Sequence, residues 1–86
     1  MPDTVEKIIS PPTQADQTLD VRNLLCPLPI IRAGGRAQSM QPGEILAVQA
    51  TDPGLERDLP AWCGVNGHHY LGCRKAGREI VGYVKI

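Results

Sequence analysis

The sequence predicts an α/β two-layer sandwich in the order β-α-β-α-β-β, with two helices packed on one face of a four-stranded mixed sheet. Three observations predict it. Short stretches of alternating or continuous apolar residues near Leu19, Leu46, Leu71 and Val81 read as strands. Two segments open with proline after a polar or cysteine residue and continue with apolar residues at helical spacing. The last two strands follow each other closely around Lys75-Ala76-Gly77, which is the pattern of an antiparallel hairpin. Stacking both helices on the sheet buries every one of these apolar stripes.

Residues 1–17 mix prolines, threonine, glutamine and aspartate with little periodicity and are expected to form a flexible N-terminal arm. Within it, Val5, Ile8 and Ile9 form a short apolar group that could pack on a surface. The folded domain is expected over residues 18–86. Residues 18–22 alternate Leu19 and Val21 with Asp20 and Arg22, a short half-buried strand. A helix is expected to start at Pro27, since proline at the first helical position loses no hydrogen bond and has the right φ. Pro29 is tolerated in the same first turn. Ile30, Ala33, Ala37 and Met40 mark the buried face of this helix, with Arg32, Arg36 and Ser39 towards the other, and Pro42-Gly43 ends it. Residues 44–51 form a strand that puts Leu46, Val48 and Ala50 on one face and Ile45 and Ala47 on the other. Asp52-Pro53-Gly54 repeats the helix-start pattern, with Asp52 as the capping carboxylate. Leu55, Leu59 and Trp62 line the second helix, and Pro60 is expected to kink or split it. Gly64 to Gly67 close it, and residues 69–74 and 79–86 are the final strands.

Composition narrows the function. The chain of 86 residues has no Phe and a single Trp, so its core rests on aliphatic side chains and is too thin to enclose a large cofactor. Chemistry is expected at the surface, with no cofactor and no metal. A formal charge of zero argues against a dedicated nucleic-acid surface. No apolar run reaches the roughly 20 residues that span a bilayer. The N-terminus shows no basic start followed by an apolar stretch, so a cytoplasmic location is expected. There, three cysteines, an odd number, stay reduced rather than forming a disulfide framework.

Cys26 is the candidate reactive residue. With the helix starting at Pro27, its sulfur sits at the N-cap, where unpaired N–H groups and the positive end of the helix dipole favour an anion. Its thiol pKa is therefore expected to fall below the ordinary value of about 8.5, and the N–H groups of Leu28 and Ile30 are the expected donors. Cys26-Pro27-Leu28-Pro29 then reads as a rigid pedestal for a thiolate. A plainer reading makes Cys26 only a small residue at a helix start. No acid–base group is evident beside it, and nothing resembles a Cys-His-Asn set. A thiolate without a base suits attack of sulfur on sulfur, in which the leaving thiolate needs no proton from the protein.

Three motifs together give the chain a resemblance to the TusA (SirA-like) sulfur-carrier family. The first is carried by Leu19, Asp20, Cys26, Pro27, Leu28 and Pro29, the second by Pro42, Gly43 and Glu44, and the third by Thr51, Asp52, Pro53 and Gly54. Gly67-His68 precedes the hairpin as it does in that family. The resemblance runs from about Leu19 to the C-terminus. It implies that Cys26 carries a persulfide, received from a cysteine desulfurase or a rhodanese-type donor and passed to an acceptor sulfurtransferase, such as a DsrE-like protein. It implies service in tRNA thiolation, molybdenum-cofactor assembly or sulfur oxidation, and a relay rather than a turnover enzyme. The chain departs from the family at Asn23, where glycine is usual and where Asn tolerates a left-handed backbone. It departs again at Gly34-Gly35, which replace better helix formers. Close approach of the helix to the sheet and an altered docking face are the two explanations for that pair.

Other residues carry weaker signals. Cys63 and Cys73 read as small buried hydrophobes, with a resolving role for Cys26 as the other possibility. Cys63, His68, His69 and Cys73 lie close in sequence, but the adjacent histidines and the lack of a Cys-x-x-Cys pair argue against zinc. Arg22, Arg32 and Arg36 are candidates for a positive patch facing an acidic partner. Direct tRNA binding is weakly supported. Two other functional classes stand beside the carrier: a non-catalytic interaction or regulatory module, and a thiol–disulfide exchange protein.

Overall fold

A computed structural model describes residues 14–86. The elements are β1 (Gln17–Asp20), α1 (Leu28–Gln38), β2 (Ile45–Ala50), α2 (Leu55–Asn66), β3 (His69–Ala76) and β4 (Glu79–Lys85). They form one four-stranded sheet in the order β1-β2-β4-β3. β1 runs parallel to β2, and the other two pairings are antiparallel. The expected two-layer α/β architecture and mixed sheet are therefore the observed ones. Most of the expected N-terminal arm lies outside the described residues, including Val5, Ile8 and Ile9. Its last residue, Gln17, opens β1, and Asp16 exchanges two hydrogen bonds of 2.8 Å with Ile45.

The core follows the alternation of the strands. Leu46, Val48 and Ala50 of β2 lie opposite Val84, Gly82 and Ile80 of β4, and these residues share the buried face. Ala33 and Met40, with Leu55, Leu59 and Cys63 of α2, complete one continuous cluster with Val21. Leu59 reaches β4 at Gly82, where a Cβ would collide with its side chain. On the opposite face, Ala47 pairs with Tyr83 across β2 and β4, and both are buried. In β3 the pairing slips between Tyr70 and Gly72, so Leu71 is the extra residue of a bulge. The slip leaves Tyr70 and Cys73 both packed against the core cluster.

Two helix expectations change. α1 starts at Leu28, one residue later than expected, with Pro27 in the capping position. α2 is not split at Pro60, which lies inside one helix running from Leu55 to Asn66. A proline here removes only the single bond that would reach the Glu56 carbonyl, and Leu55, Leu59 and Cys63 hold the helix to the core on either side. Gly67 ends α2 with a left-handed backbone (φ 77°), as its position in the sequence predicts. The hairpin turn falls at Gly77-Arg78, slightly beyond the expected residues.

Candidate functional site

The parallel pairing of β1 with β2 decides where the site lies. Both strands end at the same edge of the sheet, so the loop after β1 meets the loop after β2. The first loop carries Cys26 and the second carries Thr51, Asp52 and Gly54. Asn23 sits at φ 69°, the left-handed conformation that asparagine tolerates, and its N–H donates to Thr51 Oγ1 at 2.9 Å. Asp52 ties the loops together with both carboxylate oxygens. Oδ2 accepts the Cys26 N–H at 2.6 Å, and Oδ1 accepts the Gly54 N–H at 3.0 Å. The expectation of Asp52 as the helix cap is corrected: Asp52 is the first residue of the turn leading into α2, Gly54 holds the capping position and the helix starts at Leu55. The reason is that the Asp52 carboxylate is used by the Cys26 loop and by its own turn. The Leu55 N–H closes that turn on the Asp52 carbonyl at 3.1 Å.

Cys26 is exposed, preceded by exposed Leu25 and followed across Pro27 by Leu28, with Ile31 exposed one helical turn further on. The peptide bond to Pro27 is cis. The sulfur is not at the helix cap. A turn closed by the Leu28 N–H on the Leu25 carbonyl, at 2.9 Å, moves the start of α1 beyond it. The Ile30 N–H donates to the Pro27 carbonyl at 3.1 Å. Both donors expected to receive a thiolate are therefore occupied by backbone oxygens. Pro27 and Pro29 keep their structural parts, Pro27 as the capping residue and Pro29 as a buried side chain in the first turn.

The sulfur instead faces a carboxylate. Cys26 Sγ donates to Oδ2 of Asp58, the fourth residue of α2, at 2.7 Å. That bond is the main reason the thiol pKa is raised, with the negative charges of Asp58 and Asp52 acting in the same direction and Arg57 opposing them. The same bond holds the Asp58 carboxyl below its ordinary value, with help from Arg57, whose Nε donates to Asp58 Oδ1 at 3.3 Å. The expectation of a depressed cysteine pKa is corrected on both counts: the helix donors are used elsewhere, and an acidic neighbour favours the protonated sulfur. The expectation that no acid–base group lies nearby is corrected too. Asp58 was missed because its partner is 32 positions away. The available signal was its place in the first turns of a helix whose N-terminus the parallel strands bring beside Cys26.

The remaining candidates are spread over the fold. Cys63 is buried, and burial pushes its thiol up to about 11. Cys73 is half-buried on β3. His68 packs its ring against Trp62, with centroids 4.9 Å apart. Among the described residues no group of three or more His, Cys, Asp or Glu side chains is placed to hold a metal ion. Two of the three candidate patch arginines have partners of their own. Arg22 is held by Asp20 (2.8 Å) and Glu79 (3.4 Å), and Arg36 donates to Gln17 at 3.1 Å. Among the described residues no helix is long and apolar enough to cross a membrane.

The same architecture occurs in the crystal structure of a SirA-like protein from Desulfitobacterium hafniense. That structure superposes with a TM-score of 0.65 at 24% identity, covering 80% of this chain and 95% of the other. Fold and site together define a small α/β sandwich that presents a single exposed thiol at the edge where its parallel strands end. The family model described as sulfurtransferase TusA matches residues 17–86, and the chain belongs to that family. A sulfur carrier protein TusA of Allochromatium vinosum is 40% identical over 70 residues, which cover 81% of this chain and 92% of that protein. A putative sulfur carrier protein of Aquifex aeolicus is 37% identical over 70 residues, 81% of this chain and 36% of that protein. The chain thus spans only 36–39% of the length of the longer curated relatives it matches.

Proposed function

We propose that this protein is a sulfur carrier, in which Cys26 accepts sulfane sulfur as a persulfide and relays it to a partner protein. The observation that carries the reading is the exposure of Cys26 alone among the three thiols, on a loop fixed by Asp52. A relay thiol has to meet two different proteins in turn, and an open sulfur beside the exposed apolar residues Leu25, Leu28 and Ile31 suits such transient contacts. The donor is a cysteine desulfurase or a rhodanese-type protein, and the acceptor is another sulfurtransferase of the DsrE-like kind. Thiolation of tRNA, wider sulfur trafficking and sulfur oxidation are the endpoints this reading allows, in a reducing cytoplasm where the thiols persist. Thiol–disulfide exchange with Cys63 or Cys73 is the weaker reading, because Cys63 is buried and Cys73 is half-buried, so neither is open to a partner as Cys26 is.

Intact mass after incubation with a cysteine desulfurase and cysteine tests the proposal. One added sulfur on the wild type, removed by reductant and absent from Cys26→Ser, is the expected result. The same experiment with a rhodanese and thiosulfate, and with a low-molecular-weight persulfide, covers the other donors. A folded protein that takes sulfur from none of the three leaves Cys26 as a plain structural residue of an interaction module.

A further inference from the structure

Sulfur transfer through a protonated cysteine needs a place for the proton, and the site supplies one. Asp58 Oδ2 lies 2.7 Å from Cys26 Sγ, within reach of the proton that must leave as the sulfur attacks. Its side chain is 24% exposed, and Arg57 holds its other oxygen at 3.3 Å. Asp52, the other carboxylate of the site, is engaged by the N–H groups of Cys26 and Gly54. Among the described residues, the hydrogen bond of the reacting sulfur is the one to Asp58.

Resting on the carrier reading above, we propose that Asp58 is the proton shuttle of the relay, a general base when Cys26 is loaded and a general acid when it is discharged. On loading, Cys26 Sγ bonds to the outer sulfur of the donor persulfide. The donor's S–S bond breaks and leaves its electron pair on the inner sulfur. The Cys26 proton passes to Asp58 Oδ2 and on to that departing thiolate, so the donor leaves as a thiol and Cys26 keeps the persulfide anion. On discharge, an acceptor thiol attacks the outer sulfur, and its proton passes through Asp58 to the released Cys26 sulfur. Sulfane sulfur moves intact in both directions, so no external oxidant or reductant is involved. The proton matters because Cys26 is held as a thiol: unassisted attack would wait for the small thiolate fraction, and a thiolate of raised pKa is a poor leaving group unless it is protonated as it departs.

The test compares wild type, Asp58→Asn and Asp58→Glu, loading each from cysteine persulfide between pH 6.5 and 9 and following the added sulfur by intact mass. Asn removes the negative charge, so the Cys26 thiol should ionise at lower pH in that variant, which iodoacetamide alkylation reads independently. Despite its larger thiolate fraction, Asp58→Asn is expected to load about tenfold or more slowly at pH 6.5. The deficit should shrink towards pH 9, and Asp58→Glu should recover most of the rate. If Asp58 only suppresses the thiolate, Asp58→Asn loads as fast as wild type or faster at pH 6.5, and the shuttle is overturned while the carrier stands. A wild type that takes no sulfur overturns the carrier reading itself, and the shuttle with it. Unchanged near-ultraviolet circular dichroism from Trp62 shows that the variants are folded.

Discussion

At the scale of the residue, the site is set by two carboxylates with different tasks. Asp52 fixes backbone: it accepts one N–H from the cysteine loop and one from its own turn. Removing the carboxylate takes the acceptor from both N–H groups at a partly exposed site where water replaces part of it, so Asp52→Ala should lower stability by about 1–3 kcal/mol in urea unfolding. Asp58 acts on the sulfur. Because it raises the thiol pKa, the alkylation rate of Cys26 should reach half its maximum above pH 8.5, the ordinary thiol value of about 8.5 being the reference. A midpoint below that reference would mean that the thiol does not donate to Asp58 in solution. Cys26 was visible in the sequence through its prolines, whereas its ionisation was not. A sulfur two residues ahead of the helix cannot use the helix donors, and that offset depends on one turn bond between Leu28 and Leu25.

At the scale of the element, glycines separate what packing requires from what it merely permits. Gly82 on β4 lies under Leu59 of α2, and a methyl group there has no room. Overpacking of this kind costs about 1–3 kcal/mol, so Gly82→Ala should lower the urea midpoint accordingly. Gly34 and Gly35 behave oppositely. A Cβ on Gly34 would rest at 3.7 Å from the Trp62 ring, an ordinary contact, and one on Gly35 would meet nothing within 4 Å among the described residues. Gly34 therefore faces α2 rather than the sheet, and close approach to the sheet does not account for the pair. With room at both positions, helix propensity decides: Gly34→Ala and Gly35→Ala should each stabilise the protein by about 0.5–1 kcal/mol. Destabilisation by Gly35→Ala would show that α1 is not helical there.

At the scale of the whole molecule, charge distribution makes stability depend on pH in a definite window. The Asp58 carboxyl is lowered in the folded state, so its contribution is present above the ordinary carboxylate value of about 4 and is lost as the pH falls. Asp20 adds to the same limb, since its hydrogen bonds to Arg22 lower it to about 2. The Cys26 thiol is raised, so its contribution is complete below about 8.5 and is lost as the pH rises through the folded value. Stability should form a plateau between these limits. Asp58→Asn should weaken both shoulders together, which urea midpoints at pH 3, 7 and 10 would read. A change on one side alone would separate the two groups.

Apolar periodicity and the placement of prolines and glycines were enough, in the sequence alone, to determine the two-layer architecture, the order of its elements and the identity of the exposed cysteine. Those signals are local, because strand alternation, helix starts and turns depend on neighbours a few positions apart. Tertiary structure alone decided the environment of that cysteine. Parallel pairing of β1 with β2 carries Cys26 to Asp52 and Asp58, groups 26 and 32 positions away, and no local pattern records which side chains meet at the ends of two strands. The protonation state of the sulfur follows from that meeting, since a carboxylate at hydrogen-bonding distance outweighs a helix dipole whose donors are already taken.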